Sequence, residues 1–460
     1  MQITIPEFIN DIALKFSENN FTLFLVGGSL RNILLEKQVK DWDLTTNATP
    51  EQILSLFPEG FYDNVFGTVG IPLMFNQEKI VVEITTFRTE EGYANNRHPD
   101  KVSWGKTIEE DLSRRDFTIN AMALELQPRN IRPLDVTSDS IIDPYNGRKD
   151  LDAKLIRAVG DPNERFKEDA LRLMRAIRFA TQLSFTIEED TLSAVTNDAT
   201  LIKNISQERI RDEFMKILGS DYPFEGIMIL KNTGILTFIL PELLEGVGIS
   251  QKRPGRHHTT DVFEHNVFSL KFCPSKDPLV RFATLIHDVG KPRVATPDRD
   301  GLVIFHNHEI VGSKMAYEIC DRLRFSRRDR EKVAKLIRWH MFTVDEHITD
   351  SAVRRFIRRI GVENVKDMMD LRIGDRLGGG TQTAESWRLT LFKKRVEVQL
   401  APLPFSTKDL AVDGNDLMSE LGIKPGREVG DLLQKLFEEV DEDLSKNTRE
   451  FLLTRVKELV

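Results

Sequence analysis

Strand-like and helix-like hydrophobic patterns alternate over the first 160 residues. The run Thr22-Leu23-Phe24-Leu25-Val26 reads as a buried strand, and it stops at Gly27-Gly28. Shorter β-like runs follow at 69–75 and 80–87. After about residue 160 the apolar spacing changes to three and four, which predicts helices over 165–183, 207–218 and 332–340. Breakers cluster at Arg253-Pro254-Gly255, Gly378-Gly379-Gly380 and Ala401-Pro402-Leu403-Pro404, the candidate boundaries. No internal repeat or low-complexity tract is evident. The pattern predicts an α+β chain, mixed first and helical afterwards, whose 460 residues leave room for about two to four domains.

Composition narrows the class. Hydrophobic residues make up 40% and charged residues 30%, a globular balance, and no apolar run reaches the roughly 20 residues a bilayer crossing needs. The opening Met1-Gln2-Ile3-Thr4-Ile5-Pro6-Glu7 has no basic or apolar leader region, so no secretory signal is expected. Two cysteines, Cys273 and Cys320, exclude a disulfide scaffold and a four-thiolate zinc site and suit a reducing, cytoplasmic setting. A net charge of −8 argues against a nucleic-acid partner, but the signs are segregated. Arg172, Arg175 and Arg178 repeat along one segment; 322–338, Arg354-Arg355, Arg358-Arg359 and Lys393-Lys394-Arg395 are basic, and 438–443 is acidic. Each cluster taken alone reads as a solvated helix face.

Candidate chemistry begins where the first strand ends. Gly27-Gly28-Ser29-Leu30-Arg31 follows it and opens a helix-like run, so the backbone there can approach a ligand and offer N–H groups to an anion. In Lys40-Asp41-Trp42-Asp43-Leu44 a strand would put both carboxylates on one face. Like charges that close favour a bound cation, and hard oxygen donors suit Mg²⁺ shared with a nucleoside triphosphate. Glu83, inside the apolar run Val81-Val82-Glu83-Ile84-Thr85, is a candidate third carboxylate, a partner Arg or Lys being the alternative. In Arg114-Arg115-Asp116-Phe117-Thr118-Ile119-Asn120-Ala121, paired arginines beside an Asp and an Asn suit phosphate and ribose, or else a surface ion-pair network.

These motifs, with Glu168-Asp169-Ala170-Leu171-Arg172, occur in an order that closely resembles the class II tRNA nucleotidyltransferases, the CCA-adding enzyme and bacterial poly(A) polymerase family. The resemblance covers roughly 20–250 and returns near Asp413-Gly414-Asn415-Asp416-Leu417. It implies a polymerase-β-like head with a small mixed sheet (1–160), a helical neck that templates the nucleotide (161–250), a histidine-rich helical region (251–380) and a helical body and tail that bind tRNA (381–460). It further implies Mg²⁺ on Asp41 and Asp43, with Gly27, Gly28, Ser29, Arg31, Arg115, Asp116 and Asn120 around the nucleotide. One departure stands out: the family has Asp where this chain has Asn32, which puts the holding of Arg31 in doubt.

Hydrogen-bond polarity sharpens the neck reading. Ionised Asp only accepts and Arg only donates, so an Asp169–Arg172 pair matches the amino donor and ring-nitrogen acceptor of C and A. Uracil and guanine mismatch at both contacts, at on the order of 1–3 kcal/mol each. Glu168, Asp169 and Arg172 at helical spacing share one face, and the resemblance adds Arg175 and Arg178 near the nucleotide. An amphipathic helix with internal salt bridges is the bland alternative. The span 89–99 resembles the loop of members that complete the terminal A, which disfavours CC-only addition and leaves A-only or poly(A) synthesis open.

Eight of nine histidines fall within 257–347. His265, His287-Asp288, His308, His340 and Asp375 occur in an order that resembles the HD phosphohydrolase superfamily, which implies a second divalent metal of Mn, Fe, Ni, Co or Zn type. The resulting expectation is a cytoplasmic, Mg²⁺-dependent enzyme that adds C and A to tRNA from CTP and ATP with pyrophosphate release. A metal phosphohydrolase as the main activity and a non-catalytic RNA-binding module are the competing readings.

Overall fold

The computed structural model describes residues 2–3, 5–39, 41–64, 67–75, 77–91, 101–127, 134–135, 140–251, 260–342, 344–400 and 406–460. The breakers at 253–255 and 401–404, most of the 89–99 loop, and His98, His257 and His258 lie outside them. The chain folds as two compact units, Met1–Pro241 and Glu242–Val460.

In the first unit, seven strands form one mixed sheet. In chain order they are β1 (Leu23–Val26), β2 (Asp43–Thr46), β3 (Phe61–Asn64), β4 (Thr68–Phe75), β5 (Glu78–Thr86), β6 (Ala123–Glu125) and β7 (Ile141–Ile142), arranged β7-β6-β1-β2-β5-β4-β3. All four β1 residues are buried, which is why that strand reads as an unbroken apolar run. β5 alternates instead: Val82, Ile84 and Thr86 are buried, while Glu83 points out from the opposite face. The helix α1 (Gly27–Leu34) leaves directly from β1, and the short α2 (Ile108–Ser113) is fixed by a capping box of Thr107 and Glu110.

The helix expected over 165–183 is in fact two, α3 (Pro162–Glu168) and α4 (Leu171–Leu183). Asp169 between them is extended, and its carboxylate accepts the Leu171 N–H at 3.1 Å, the local competition with the helix ladder for which Asp is suited. The next predicted helix forms as α5 (Gln207–Leu218).

Among its described residues the second unit is helical apart from a two-stranded pairing of Thr296–Pro297 with Val303–Ile304. Its framework is α6 (Val262–Phe272), α7 (Pro278–Leu285), α8 (His308–Arg322), α9 (Arg327–Trp339), α10 (Asp350–Ile360) and α11 (Val365–Gly378). Gly290, just past His287-Asp288, touches the start of α8 so closely that a Cβ would lie 2.3 Å from the His308 carbonyl oxygen. Towards the C-terminus, α12 (Trp387–Leu400), α13 (Gly414–Leu421), α14 (Arg427–Glu442) and α15 (Arg449–Leu459) follow, and Leu417, Leu436, Val440, Leu452 and Val456 form a core there. No helix among the described residues is long and apolar enough to cross a membrane.

Candidate active site and metal centre

The turn from β1 into α1 sets the first site. Gly27 has φ +62°, and a Cβ on it would lie 3.0 Å from Arg115 Nη1 and 3.2 Å from Asp43 Oδ2. Gly28 donates its N–H to Asp43 Oδ2 at 3.1 Å. Ser29 Oγ donates to the Asp41 carbonyl at 2.8 Å and accepts the Asp43 N–H at 2.7 Å, pinning the entry to β2. β2 begins at Asp43, so Asp41 stands before the strand, exposed in a bend, rather than on a strand face as expected. The two carboxylates still feel each other. Burial raises the Asp43 pKa and Asp41 adds to the rise, against Arg115, the Gly28 N–H and Arg31. Across the parallel β2–β5 ladder Asp43 is in register with Glu83, which puts both on one face.

These residues open into a cleft of about 560 Å³ lined by eight arginines and four carboxylates, Asp43, Glu83, Asp116 and Asp169. In a chain of net charge −8 this is a local cationic surface suited to an anion. The arginines are held, not free to swing. Arg114 and Arg115 both pair with the fully buried Asp111, at 2.5 and 3.0 Å. Arg175 pairs with Asp116 at 2.6 Å, and Arg178 with Glu213 at 2.6 Å. Burial would raise the Asp116 carboxyl, but Arg175 and Arg172 bring it down to about 2. Arg31 donates to Asn120 Oδ1 at 2.7 Å and to Asn32 Oδ1 at 2.9 Å. Burial, then neighbouring Arg178, lowers its pKa to about 10. The Arg31, Arg175 and Arg178 guanidiniums lie over the Phe179 ring, Arg178 at 4.1 Å.

The neck residues differ from the expected helical stripe. Because the chain breaks at Asp169, its carboxylate meets Arg209 of α5 at 2.7 Å instead of stacking with Arg172 along one helix. Arg172 donates to Glu168 and to the carbonyls of Arg165 and Arg114, the last two at 3.0 Å. Asp169 and Arg172 both line the cleft. Glu168 does not, and pairs instead with Arg165 and Arg172; Ser29 and the Asp41 carbonyl fix the turn beside Gly28 and Asp43, which do.

In the second unit, four imidazoles and two carboxylates converge in the interior. His265 and His287 approach each other at 3.2 Å through Nε2, and both reach Asp288 Oδ2 at 3.3 Å and Asp375 Oδ1 at 3.3 and 3.5 Å. His308 and His340 reach the other Asp288 oxygen, Oδ1, at 3.3 and 3.6 Å. His265, His287 and Asp288 form one group and Asp288, His308 and His340 another, within each of which one donor atom per residue lies within 4.8 Å of the others, and Asp375 joins the first through its two histidine contacts. Nδ1 of His287, His308 and His340 lies 2.7–2.8 Å from a backbone carbonyl, which fixes the tautomer with Nε2 turned inwards. Burial would lower the His287 pKa, yet Asp288 and Asp375 carry it to about 10. Burial instead lowers the His340 pKa, and it is the inward Nε2 atoms gathered around the two buried carboxylates that give the cluster the donor chemistry of a divalent cation site. Lys291 also reaches Asp288, and Arg372 pairs with Asp375 at 2.9 Å.

Comparisons with known proteins identify the family of the chain. Family models match residues 23–157 ("Poly A polymerase head domain"), 184–246 ("Probable RNA and SrmB- binding site of polymerase A") and 304–456 ("tRNA nucleotidyltransferase domain 2 putative"). An A-adding tRNA nucleotidyltransferase of Deinococcus radiodurans is 37% identical over 74% of this chain and 76% of its own length. A CCA-adding enzyme of Ligilactobacillus salivarius is 30% identical over 97% of this chain and 95% of its own. The chain belongs to the tRNA nucleotidyltransferase family. Its fold is that of a Bacillus stearothermophilus CCA-adding enzyme solved with CTP, with TM-score 0.74 at 23% identity over 99% of this chain and 98% of that one. The CCA-adding enzyme of Lactobacillus helveticus is 46% identical, over 43% of this chain and 46% of its own.

As a tRNA nucleotidyltransferase the chain carries more in its cleft than its motifs announced. Phe179, Arg88 and Arg209 line the cleft as well, beside Arg114 of the paired-arginine motif. Arg114 had a signal, since Asp111 precedes Arg114 and Arg115 at helical three- and four-residue spacing. Arg209 and Phe179 had none beyond their helical periodicity.

Proposed function

We propose that this family member completes the 3′-terminal CCA of tRNA in the cytoplasm, using CTP, ATP and Mg²⁺. The observation that carries the reading is the Asp43 carboxylate on the cleft floor, beside the Gly28 N–H, in register with Glu83 and facing the arginine wall. Asp43, with Asp41 and Glu83, would hold the ions, which activate the tRNA 3′-hydroxyl and neutralise the triphosphate. That oxygen bonds to the α-phosphorus while the bond to the bridging oxygen breaks; pyrophosphate leaves and the hydroxyl proton passes to solvent. Arg115, Arg31 and the Gly27-Gly28-Ser29 turn bind the triphosphate, while Asp116 and Asn120 hold Arg175 and Arg31 in place. Asp169 accepts from the amino group of C or A and Arg172 donates to the ring nitrogen, each steadied by the partners described above. Arg175 and Arg178 line the nucleotide beside Phe179.

An A-adding reaction is the second reading, favoured by the Deinococcus relative. Transcripts lacking one, two or three 3′ nucleotides, incubated with CTP, ATP or both, separate the two. Addition of C, C and A followed by arrest supports CCA synthesis. Extension only of ends that already carry CC selects A addition, and a long homopolymer selects poly(A) synthesis.

The metal centre supports a separate hydrolytic activity of HD phosphohydrolase type. His265, His287, Asp288 and Asp375 would hold one divalent ion and Asp288, His308 and His340 another. Such ions polarise a phosphoryl oxygen and activate water. The metal's identity is open to element analysis of the purified protein.

A further inference from the structure

Strand register lays a row of residues across the sheet of the first unit. Asp43 of β2 pairs with Glu83 of β5, Glu83 with Gly70 of β4, and Gly70 with Phe61 of β3. Directly paired residues project from one face, so the row carries the cleft floor on by two strands, as far as the edge strand β3. At its other end Gly28 donates to Asp43, and Arg115 stands where a Gly27 side chain would be.

Phe61 ends the row. Its ring folds back over Gly70, where a Cβ would lie 2.6 Å from Phe61 Cζ and 2.9 and 3.1 Å from the two Cε atoms. Any side chain at position 70 would displace it, so glycine lets the ring lie about one strand spacing, roughly 5 Å, from the Glu83 backbone. The residue is nonetheless 46% exposed. On the same face Thr68 and Thr85 pair across β4 and β5 with their hydroxyls 3.2 Å apart. Both line the cleft, as does Arg88 just beyond β5. An exposed ring beside hydroxyls and a guanidinium suits an RNA nucleotide, with its base to stack, its ribose hydroxyls and its phosphodiester.

Reaction geometry says which nucleotide. In phosphoryl transfer the attacking and leaving oxygens lie in line on opposite sides of the phosphorus. The Gly27-Gly28-Ser29 turn and Arg115 hold the triphosphate, and with it the leaving pyrophosphate, at the β1 end of the row. The attacking hydroxyl therefore arrives from the end formed by β4 and β3. We propose that Phe61 is the stacking platform for the last base of the tRNA, seated on Gly70 so that the 3′-hydroxyl meets the ions from the side of Glu83. The Thr68 and Thr85 hydroxyls face the ribose of that nucleotide. The assignment rests on the reading of Asp43 and Glu83 as ion holders given above.

The test uses the full chain and a tRNA transcript that lacks its CCA end and carries 5-iodouridine as its last nucleotide. Ultraviolet cross-linking without CTP or ATP, followed by peptide mapping, is expected to label the peptide that contains Phe61. Phe61→Leu, which still covers Gly70 but cannot stack, should raise KM for the transcript by about tenfold and leave KM for CTP within about twofold. Phe61→Tyr should restore the transcript KM, an outcome that separates stacking from gap filling. Cross-links confined to other peptides, a Phe61→Leu effect on the CTP KM alone, or unchanged kinetics would overturn the assignment. So would a dimer in sedimentation that Phe61→Leu dissociates, which would give this face to a second copy of the chain. If the cross-link maps to Phe61 while Asp43→Asn still adds nucleotides at the wild-type rate, the platform stands and the reading of the ion holders fails.

Discussion

At the scale of single residues, the cleft works by holding charges in place before any ligand arrives. Asp43 is the most demanding case. Its carboxylate sits beside Gly28, Asp41 and Glu83, and a cation is the natural way to stabilise so much negative charge. Asp43→Asn is therefore expected to cut nucleotide addition by on the order of 10³ while leaving the melting temperature little changed, since it removes a repulsion. Activity within tenfold of wild type would remove Asp43 from the reaction.

Asp116 makes the opposite prediction, because its charge is already compensated by arginines. Its folded pKa of about 2 lies below the ordinary value of 3.8, so it contributes stability at neutral pH. That contribution, about 2 kcal/mol, is present above the ordinary pKa and fades as pH falls through the folded value. Asp116→Asn should accordingly lower the melting temperature at pH 7, and the gap to wild type should narrow below about pH 4. A gap that stays constant with pH would show that the Arg175 pair contributes through packing alone.

At the scale of elements, the strand–turn–helix of β1, Gly27 and α1 does the positioning. Gly27 holds a left-handed backbone conformation with Arg115 and Asp43 where a side chain would be. Gly27→Ala should raise KM for CTP and ATP together, by about tenfold, through the displaced Arg115 and Asp43. Steady-state kinetics with each nucleotide check this, and a change confined to one nucleotide would point to the base-reading residues instead. This element was fully legible in the sequence, since an apolar run ending in Gly-Gly needs nothing distant to specify it. The bend at Asp41 was not, because Ser29, twelve residues away, draws the chain in through the Asp41 carbonyl. Nor was the break at Asp169. Periodicity runs straight through it, and the arginine that holds its carboxylate comes from α5, forty residues on. The Arg209 pair adds a test of the proposed base reading by Asp169: Arg209→Ala is expected to lower discrimination against UTP and GTP by freeing Asp169, measured as ratios of kcat/KM.

At the scale of the molecule, two charge-bearing sites are assembled from separate parts of the chain. Every residue lining the cleft lies within 26–209, and every candidate ligand of the histidine–aspartate cluster within 265–375, each inside its own compact unit. Order along the sequence made both sets visible, but only folding shows that Asp288 joins two groups of histidines through opposite oxygens. That arrangement implies that the sites can be disabled one at a time. Asp288→Asn should abolish metal retention and phosphate-ester hydrolysis while nucleotide addition to tRNA remains within a fewfold of wild type; Asp43→Asn should do the reverse. The pair of variants, assayed for bound metal and for both reactions, distinguishes two independent enzymes in one chain from a metal cluster that serves the folding of the helical unit. In the latter case Asp288→Asn would unfold residues 242–460, visible as lost helical signal, and nucleotide addition would fall with it.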